Sequence, residues 1–265
     1  MRRIAVYQGS AVQRDKAANL QQIRRAAAAA SAMGADVLVL PELFLTGYNI
    51  GRAVHELAES RDGPSLAAIR QTAQQSACAL CVGFPEREGD KVFDSAAVID
   101  SRGEQICVYR KSHLFGEQEA ALFSRGEELA VVKLAGQNVG VAICYDIEFP
   151  EVGRELKRRG AEVVLVPTAN MTPYTEVPTT LVRARALENA VTVAYANHCG
   201  SENGMQFTGL SCITGPDGLD LARAGVDSEV LLVAELPLTA SLGPLSSQLA
   251  DLQLWQGAKS KTDIP

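Results

Sequence analysis

Apolar and polar residues alternate between two periods along the chain. Residues 4–7 are apolar and predict a first strand. Over residues 19–33, Leu20, Ile23, Ala27 and Ala30 recur at three- and four-residue steps, the spacing of one helical face. Gly34 follows, in the usual place for a helix C-terminus. Within residues 36–42, Val37-Leu38-Val39-Leu40 is an unbroken apolar run closed by Pro41, as a strand buried on both faces requires. The plan then repeats: a helix opened by Gly63-Pro64 and running through Gln75, a strand over 78–83, and a hairpin of 92–99 with 105–109 turning at 100–103. The second half echoes the first. It reads as strands over 129–134 and 139–144, a helix over 150–159, a strand over 163–166, a helix over 179–189 and a strand over 191–196. Strands over 211–214 and 230–236 follow, with a Gly-Pro-Asp-Gly turn at 215–218. Strands alternating with helices and no linker predict an α/β protein with mixed sheets. One domain covers residues 1–236, and 237–265 form a polar, irregular tail.

Composition narrows the function classes. With 25 Lys plus Arg against 31 Asp plus Glu, the net charge is −6, without the clustered basic surface that nucleic acid demands. No run approaches the roughly 18 apolar residues of a membrane span, and the N-terminus passes into strand-like sequence without signal-peptide character. Neither a nucleic-acid nor a membrane partner is expected, and the chain reads as cytoplasmic. Its six cysteines are then expected as reduced thiols. Cys78 and Cys81 form a C-x-x-C that can mark a redox pair or half a zinc site. They lie in an apolar run with no second ligand pair, which favours buried structural cysteines.

Reactive side chains in α/β sheets collect beyond the C-terminal ends of strands. At those ends stand Glu42, Arg110-Lys111, Cys144-Tyr145-Asp146 and Thr168-Ala169-Asn170. A carboxylate, an ammonium and a thiol therefore recur at equivalent positions. A cysteine nucleophile normally pairs with histidine. A carboxylate that takes the thiol proton and a lysine that stabilises developing charge can replace it, and Glu42, Lys111 and Cys144 supply that set. There is no G-x-S-x-G elbow, no phosphate-binding glycine loop and no H-E-x-x-H pair. Each residue alone has an ordinary reading: Glu42 a cap, Lys111 a solvated cation, Cys144 a core thiol.

The blocks around these residues resemble the three catalytic blocks of the nitrilase superfamily, in the family's order. They are Pro41-Glu42-Leu43-Phe44-Leu45-Thr46-Gly47-Tyr48, Tyr109-Arg110-Lys111-Ser112-His113-Leu114-Phe115 and Ile143-Cys144-Tyr145-Asp146-Ile147-Glu148-Phe149-Pro150-Glu151. Arg185-Ala186-Leu187-Glu188-Asn189 matches a further family helix. The resemblance implies a four-layer α-β-β-α sandwich, a Glu42-Lys111-Cys144 triad without metal or organic cofactor, and homodimers or higher homo-oligomers pairing across helical faces. It also implies a second carboxylate, assigned to Glu119 with Glu117 as rival. Lys111 and the Tyr145 N–H would hold the oxyanion. Asn170 is either a polar substrate contact or a loop amide that satisfies backbone groups. The tail lacks the arginine-rich C-terminal segment of related sequences, which bears on a subunit interface. Cys-Tyr-Asp-Ile-Glu-Phe-Pro-Glu looks most like bacterial amidases, including the (R)-stereoselective ones. The expected reaction is hydrolysis of a small carboxamide to acid and ammonia through a thioester. Nitrilase, N-carbamoyl amine hydrolase and a non-catalytic binding member remain alternatives.

Overall fold

Side chains alternate across each strand, and the two faces bury against different layers. The computed structural model describes residues 1–237 and 244–253. Its first half runs β1 (Arg3–Gln8), α1 (Lys16–Ala32), β2 (Val37–Val39), α2 (Ala53–Leu57), α3 (Pro64–Ser76), β3 (Ala79–Glu88), β4 (Lys91–Ile99) and β5 (Gln105–Arg110). The chain continues through α4 (Gly116–Leu122), β6 (Ala130–Leu134), β7 (Gln137–Val141), a 3-10 turn (Cys144–Glu148), α5 (Pro150–Arg158) and β8 (Val163–Thr168). A π-helical turn (Val177–Leu181) opens α6 (Val182–Asn189). Then come β9 (Thr192–Asn197), β10 (Ser201–Glu202), β11 (Met205–Gln206), β12 (Cys212–Thr214), β13 (Asp220–Arg223), β14 (Val230–Glu235) and α7 (Gln248–Asp251).

The strands form two six-stranded sheets, ordered β14-β1-β2-β3-β4-β5 and β13-β12-β9-β8-β7-β6, and a separate β10-β11 pair. The centre of each large sheet is parallel, β1-β2-β3 in one and β7-β8-β9 in the other, with antiparallel strands outside. Val6, Val39, Cys81 and Val98 of the first sheet meet Val141, Leu165, Ala194 and Ile213 of the second in an apolar central layer. On the opposite face of the first sheet, Ala5, Leu38 and Leu80 receive Ile23 and Ala27 of α1 and Leu66 and Ile69 of α3. Val152 and Leu156 of α5 and Val182 and Ala186 of α6 cover Val164, Val166 and Tyr195 of the second. This is the four-layer α-β-β-α sandwich. Cys78 lies in the helix-side layer and Cys81 in the central one. Both are free and buried, and burial raises both thiols, Cys78 to about 12, which makes them inert structural residues.

Several boundaries differ from the sequence pattern. The strand expected over 139–144 stops at Val141, and Cys144 enters its 3-10 turn with φ 46°. β3 runs on to Glu88 because Glu86 and Arg87 pair with Phe93 and Val92 of β4. The helix expected from 179 begins as a π-helical turn and becomes α-helical only at Val182. β13 lies inside the segment taken as connection between 218 and 230, because Asp220 and Ala222 pair with Thr214 and Ile213. The short elements α2, α4 and β10-β11 escaped the pattern because none spans enough residues to show a period. Of the tail, α7 is described. It lies near α5 and α6, where Gln248 accepts a hydrogen bond from Arg154 and the Ser246 hydroxyl donates to Glu188 O. Residues 238–243 and 254–265 lie outside the described part. Among the described residues no helix is long and apolar enough to cross a membrane.

Candidate active site

Glu42 follows β2 on a tight turn whose next residue, Leu43, has φ 49°. The turn presses on β3 at Gly83, where a Cβ would stand 2.4 Å from Leu43 N and 2.6 Å from Pro41 O. From the second sheet's side, the Glu42 N–H donates to Thr168 O (3.3 Å), and Glu42 O meets His198 Nε2 at 2.7 Å. His198 is itself stacked between Phe44 and Phe207. Both sheets thus grip the Glu42 backbone.

Lys111 is the residue after β5, and its N–H donates to Asp94 O on β4. Its side chain is fully buried. Nζ donates to Glu42 Oε1 at 2.6 Å and to Glu119 Oε1 at 2.8 Å. Glu119 sits on α4 and also accepts from the Tyr48 hydroxyl (2.6 Å) and the Phe115 N–H (2.7 Å). Glu117, its rival in the sequence, is exposed. Burial opposes the Lys111 charge, but Glu42 and Glu119 outweigh it and hold the ammonium well above its ordinary pKa. Burial raises the Glu119 carboxyl, against the pull of Lys111.

Cys144 opens the 3-10 turn beyond β7 with a left-handed backbone. Such conformations in non-glycine residues concentrate at functional sites. Burial, reinforced by the Glu42 carboxylate, pushes the thiol well above its usual range. It therefore rests as S–H, and attack on an electrophile requires a base. Tyr145 lies in the first turn of that 3-10 helix, where backbone N–H groups lack intrahelical acceptors. Its ring packs edge-on against Phe115 and Phe149, and Phe115 meets Tyr174 in the same way. Phe115, Tyr145, Phe149 and Tyr174 therefore form one aromatic cluster around the residue that follows the thiol. Asn170 is buried just beyond β8. Its Nδ2 donates to Tyr174 O and Thr208 Oγ1, and its N–H to Asn197 Oδ1, so its amide nitrogen serves the loop.

Pattern reading missed two anchors. Asp146 is completely buried and accepts from the Tyr109 hydroxyl (2.7 Å), the His113 N–H (2.9 Å) and the Ile143 N–H (3.1 Å), and it lies 2.8 Å from His113 Nδ1. It ties the end of β5, which carries Lys111, to the turn that carries Cys144. Arg185 donates to Ile147 O and Glu148 O, while Glu188 holds its guanidinium at 2.6 Å. The Arg-Ala-Leu-Glu-Asn helix thereby caps the nucleophile turn. The positions of both were visible inside the motifs, but their contacts across the chain were not.

One oxygen each from Glu42, Asp94 and Glu119 lie within 4.8 Å of one another, a spacing that suits a metal ion. The Lys111 ammonium already bonds two of these carboxylates, so the cation position belongs to the protein itself. A separate cleft of about 540 Å³ runs past Arg61, Phe93, Arg110 and Arg125, and none of Glu42, Lys111, Glu119 or Cys144 lines it.

Comparison with known proteins adds to this geometry. The profile of the carbon-nitrogen hydrolase family matches residues 3–241. A Pseudomonas protegens protein described as "hydrolase in pqqF 5′ region" is 48% identical over 88% of this chain and 82% of its own. An (R)-stereoselective amidase from a Pseudomonas species is 37% identical over 84% of this chain and 81% of its own. Solved structures of the amidase from Nesterenkonia sp. AN1 also match. A double mutant in complex with acrylamide has TM-score 0.88 and 38% identity, covering 95% of this chain and 94% of that one. Another mutant shows covalent addition of the acetamide moiety of fluoroacetamide at the active-site cysteine, with TM-score 0.85 and 39% identity over 89% of this chain and 90% of that one.

Proposed function

The chain belongs to the carbon-nitrogen hydrolase family, enzymes acting on non-peptide carbon–nitrogen bonds, and we propose that it is an amidase converting a small carboxamide to its acid and ammonia through a thioester on Cys144. The observation that carries this reading is the buried Glu42-Lys111-Glu119 cluster together with Cys144, buried in the left-handed turn beyond β7.

Glu42 takes the proton of Cys144 as the sulfur attacks the amide carbonyl carbon. Lys111 and the Tyr145 N–H stabilise the tetrahedral oxyanion, where one such donor is typically worth about 3–4 kcal/mol. Collapse breaks the carbon–nitrogen bond, and Glu42 returns the proton to the departing ammonia. Glu42 then deprotonates water, which attacks the thioester. The acid leaves and the thiol is restored. Glu119 fixes Lys111, and the Asn170 loop borders the acyl group. No step calls on a metal or an organic cofactor.

The aromatic cluster of Phe115, Tyr145 and Tyr174 would border the acyl group and favour compact ones, on the scale of the acrylamide and butyramide held by the Nesterenkonia amidase. Ammonia release from one plate of carboxamides of both hands, nitriles and N-carbamoyl amines tests the assignment. Turnover confined to carboxamides is expected, and turnover confined to nitriles or ureido compounds would overturn it. The same reading makes the protein a cytoplasmic homo-oligomer. Its subunits would meet across the face of α5 and α6, with residues 237–265 forming a tail at that contact beside the 1–236 domain. Light scattering of the full chain and of a chain ended at 236 tests this. A monomeric full chain would reject it.

A further inference from the structure

Three carboxyl groups surround Lys111, and their supply of hydrogen-bond donors is unequal. Glu119 accepts three bonds, from Lys111 Nζ, the Tyr48 hydroxyl and the Phe115 N–H. Glu42 accepts one, on Oε1, and its Oε2 is buried without a partner. Asp94 accepts none. Both its oxygens are buried and unpartnered, and the nearer stands 3.7 Å from Lys111 Nζ, beyond hydrogen-bond reach. Asp94, Glu42 and Lys111 are all 0% exposed. Three ionised carboxylates against one ammonium would leave two uncompensated charges here, which burial strongly disfavours. One of the three groups must be neutral, and the donor count singles out the group with no donor.

We propose that Asp94 carries a proton in the resting enzyme and donates it as a hydrogen bond to Glu42 Oε2. Asp94 is then a positioning residue for the base, and the inference rests on Glu42 acting as that base. A carboxylic acid keeps one oxygen of Glu42 directed and favours its charged form, the form that accepts the thiol proton. The second lone pair of Oε2 stays free for Cys144. The charged or titratable groups around Asp94 are Glu42, Lys111 and Glu119. Burial, then the Glu42 charge, holds the Asp94 carboxyl well above its ordinary range, with Lys111 opposing.

The test uses the full-length wild type, Asp94→Ala and Asp94→Asn. Difference infrared spectra near neutral pH should show a protonated-carboxyl C=O band in the wild type that Asp94→Asn removes. Asp94→Ala should lower kcat about 10- to 100-fold, the worth of one hydrogen bond to a charged group, with KM little changed. It should also move the acid limb of Cys144 alkylation by iodoacetamide to higher pH. Asn donates the same bond without titrating, so Asp94→Asn should recover most of the loss. Absence of the infrared band, or an Asn variant as impaired as Ala, would overturn the proposal. Should Asp94→Ala not fold, the spectra and Asp94→Asn still decide. Infrared and alkylation need no amide turnover, so silence on every amide with the band present would reject the amidase reading and leave this one standing.

Discussion

At Cys144 the resting thiol is protonated by environment, since burial and the Glu42 charge both raise it. Reactivity therefore belongs to the ensemble and not to the sulfur alone. Cys144→Ala should leave less than about 1% of wild-type turnover, because removing a covalent nucleophile costs orders of magnitude. Its far-ultraviolet circular dichroism should be unchanged, and residual turnover above that level would reject the thioester route. Glu148, at the end of the same turn, gives a pH prediction. Burial first and Glu176 second raise its carboxyl to about 7. The folded state then holds a proton that the unfolded chain has lost above about 4.5, so the protein loses stability as pH rises from about 4.5 to 7 and levels off beyond. The group is half-exposed, so solvent screening leaves about 1 kcal/mol of this slope. Urea midpoints across that range should fall in the wild type more steeply than in Glu148→Gln. Parallel slopes would remove Glu148 as the source.

Elements carry these residues, and the tightest fit is between β3 and the Glu42 turn. A methyl group at Gly83 meets backbone atoms of Pro41, Glu42 and Leu43 within 2.8 Å, and backbone cannot rotate away as a side chain can. Gly83→Ala should cost about 1–3 kcal/mol through overpacking. It should also lower kcat at least about tenfold by displacing the base, since a 1 Å error in placement costs about a hundredfold. Denaturant unfolding and steady-state kinetics on the one variant test both. A destabilised but folded and slow enzyme fits the argument, and a fully active one rejects it. The same level explains what the sequence could tell. Glu42, Lys111 and Cys144 were legible because buried strands announce themselves as apolar runs, and a polar or reactive residue just past such a run stands out. Asp94 and Asp146 were not, because one lies inside a strand and the other acts through partners more than 30 residues away. The Cys144 turn was misread as strand because Ala142 and Ile143 are as apolar as the strand before them.

Across the whole molecule, the reactive groups divide between the sheets. Glu42, Lys111 and Asp94 are carried by the first sheet, and Cys144 by the second. The distance between base and nucleophile is consequently set by how the sheets pack, through the central layer and the Asp146, Thr168 and His198 links. Leu165, buried in that layer, and Ile69 of α3, buried on the far side of the first sheet, separate stability from alignment. Truncating either to Ala should destabilise by about 2–5 kcal/mol, measured by urea unfolding. At temperatures where both variants are fully folded, Leu165→Ala should lose kcat with little change in KM, because the cavity lets the sheets shift and separates Glu42 from Cys144. Ile69→Ala should turn over at close to the wild-type rate, since its cavity opens beneath a helix that touches none of the reacting groups. Equal losses in the two would mean that local turns alone hold the site, and that the central layer contributes stability without setting its geometry.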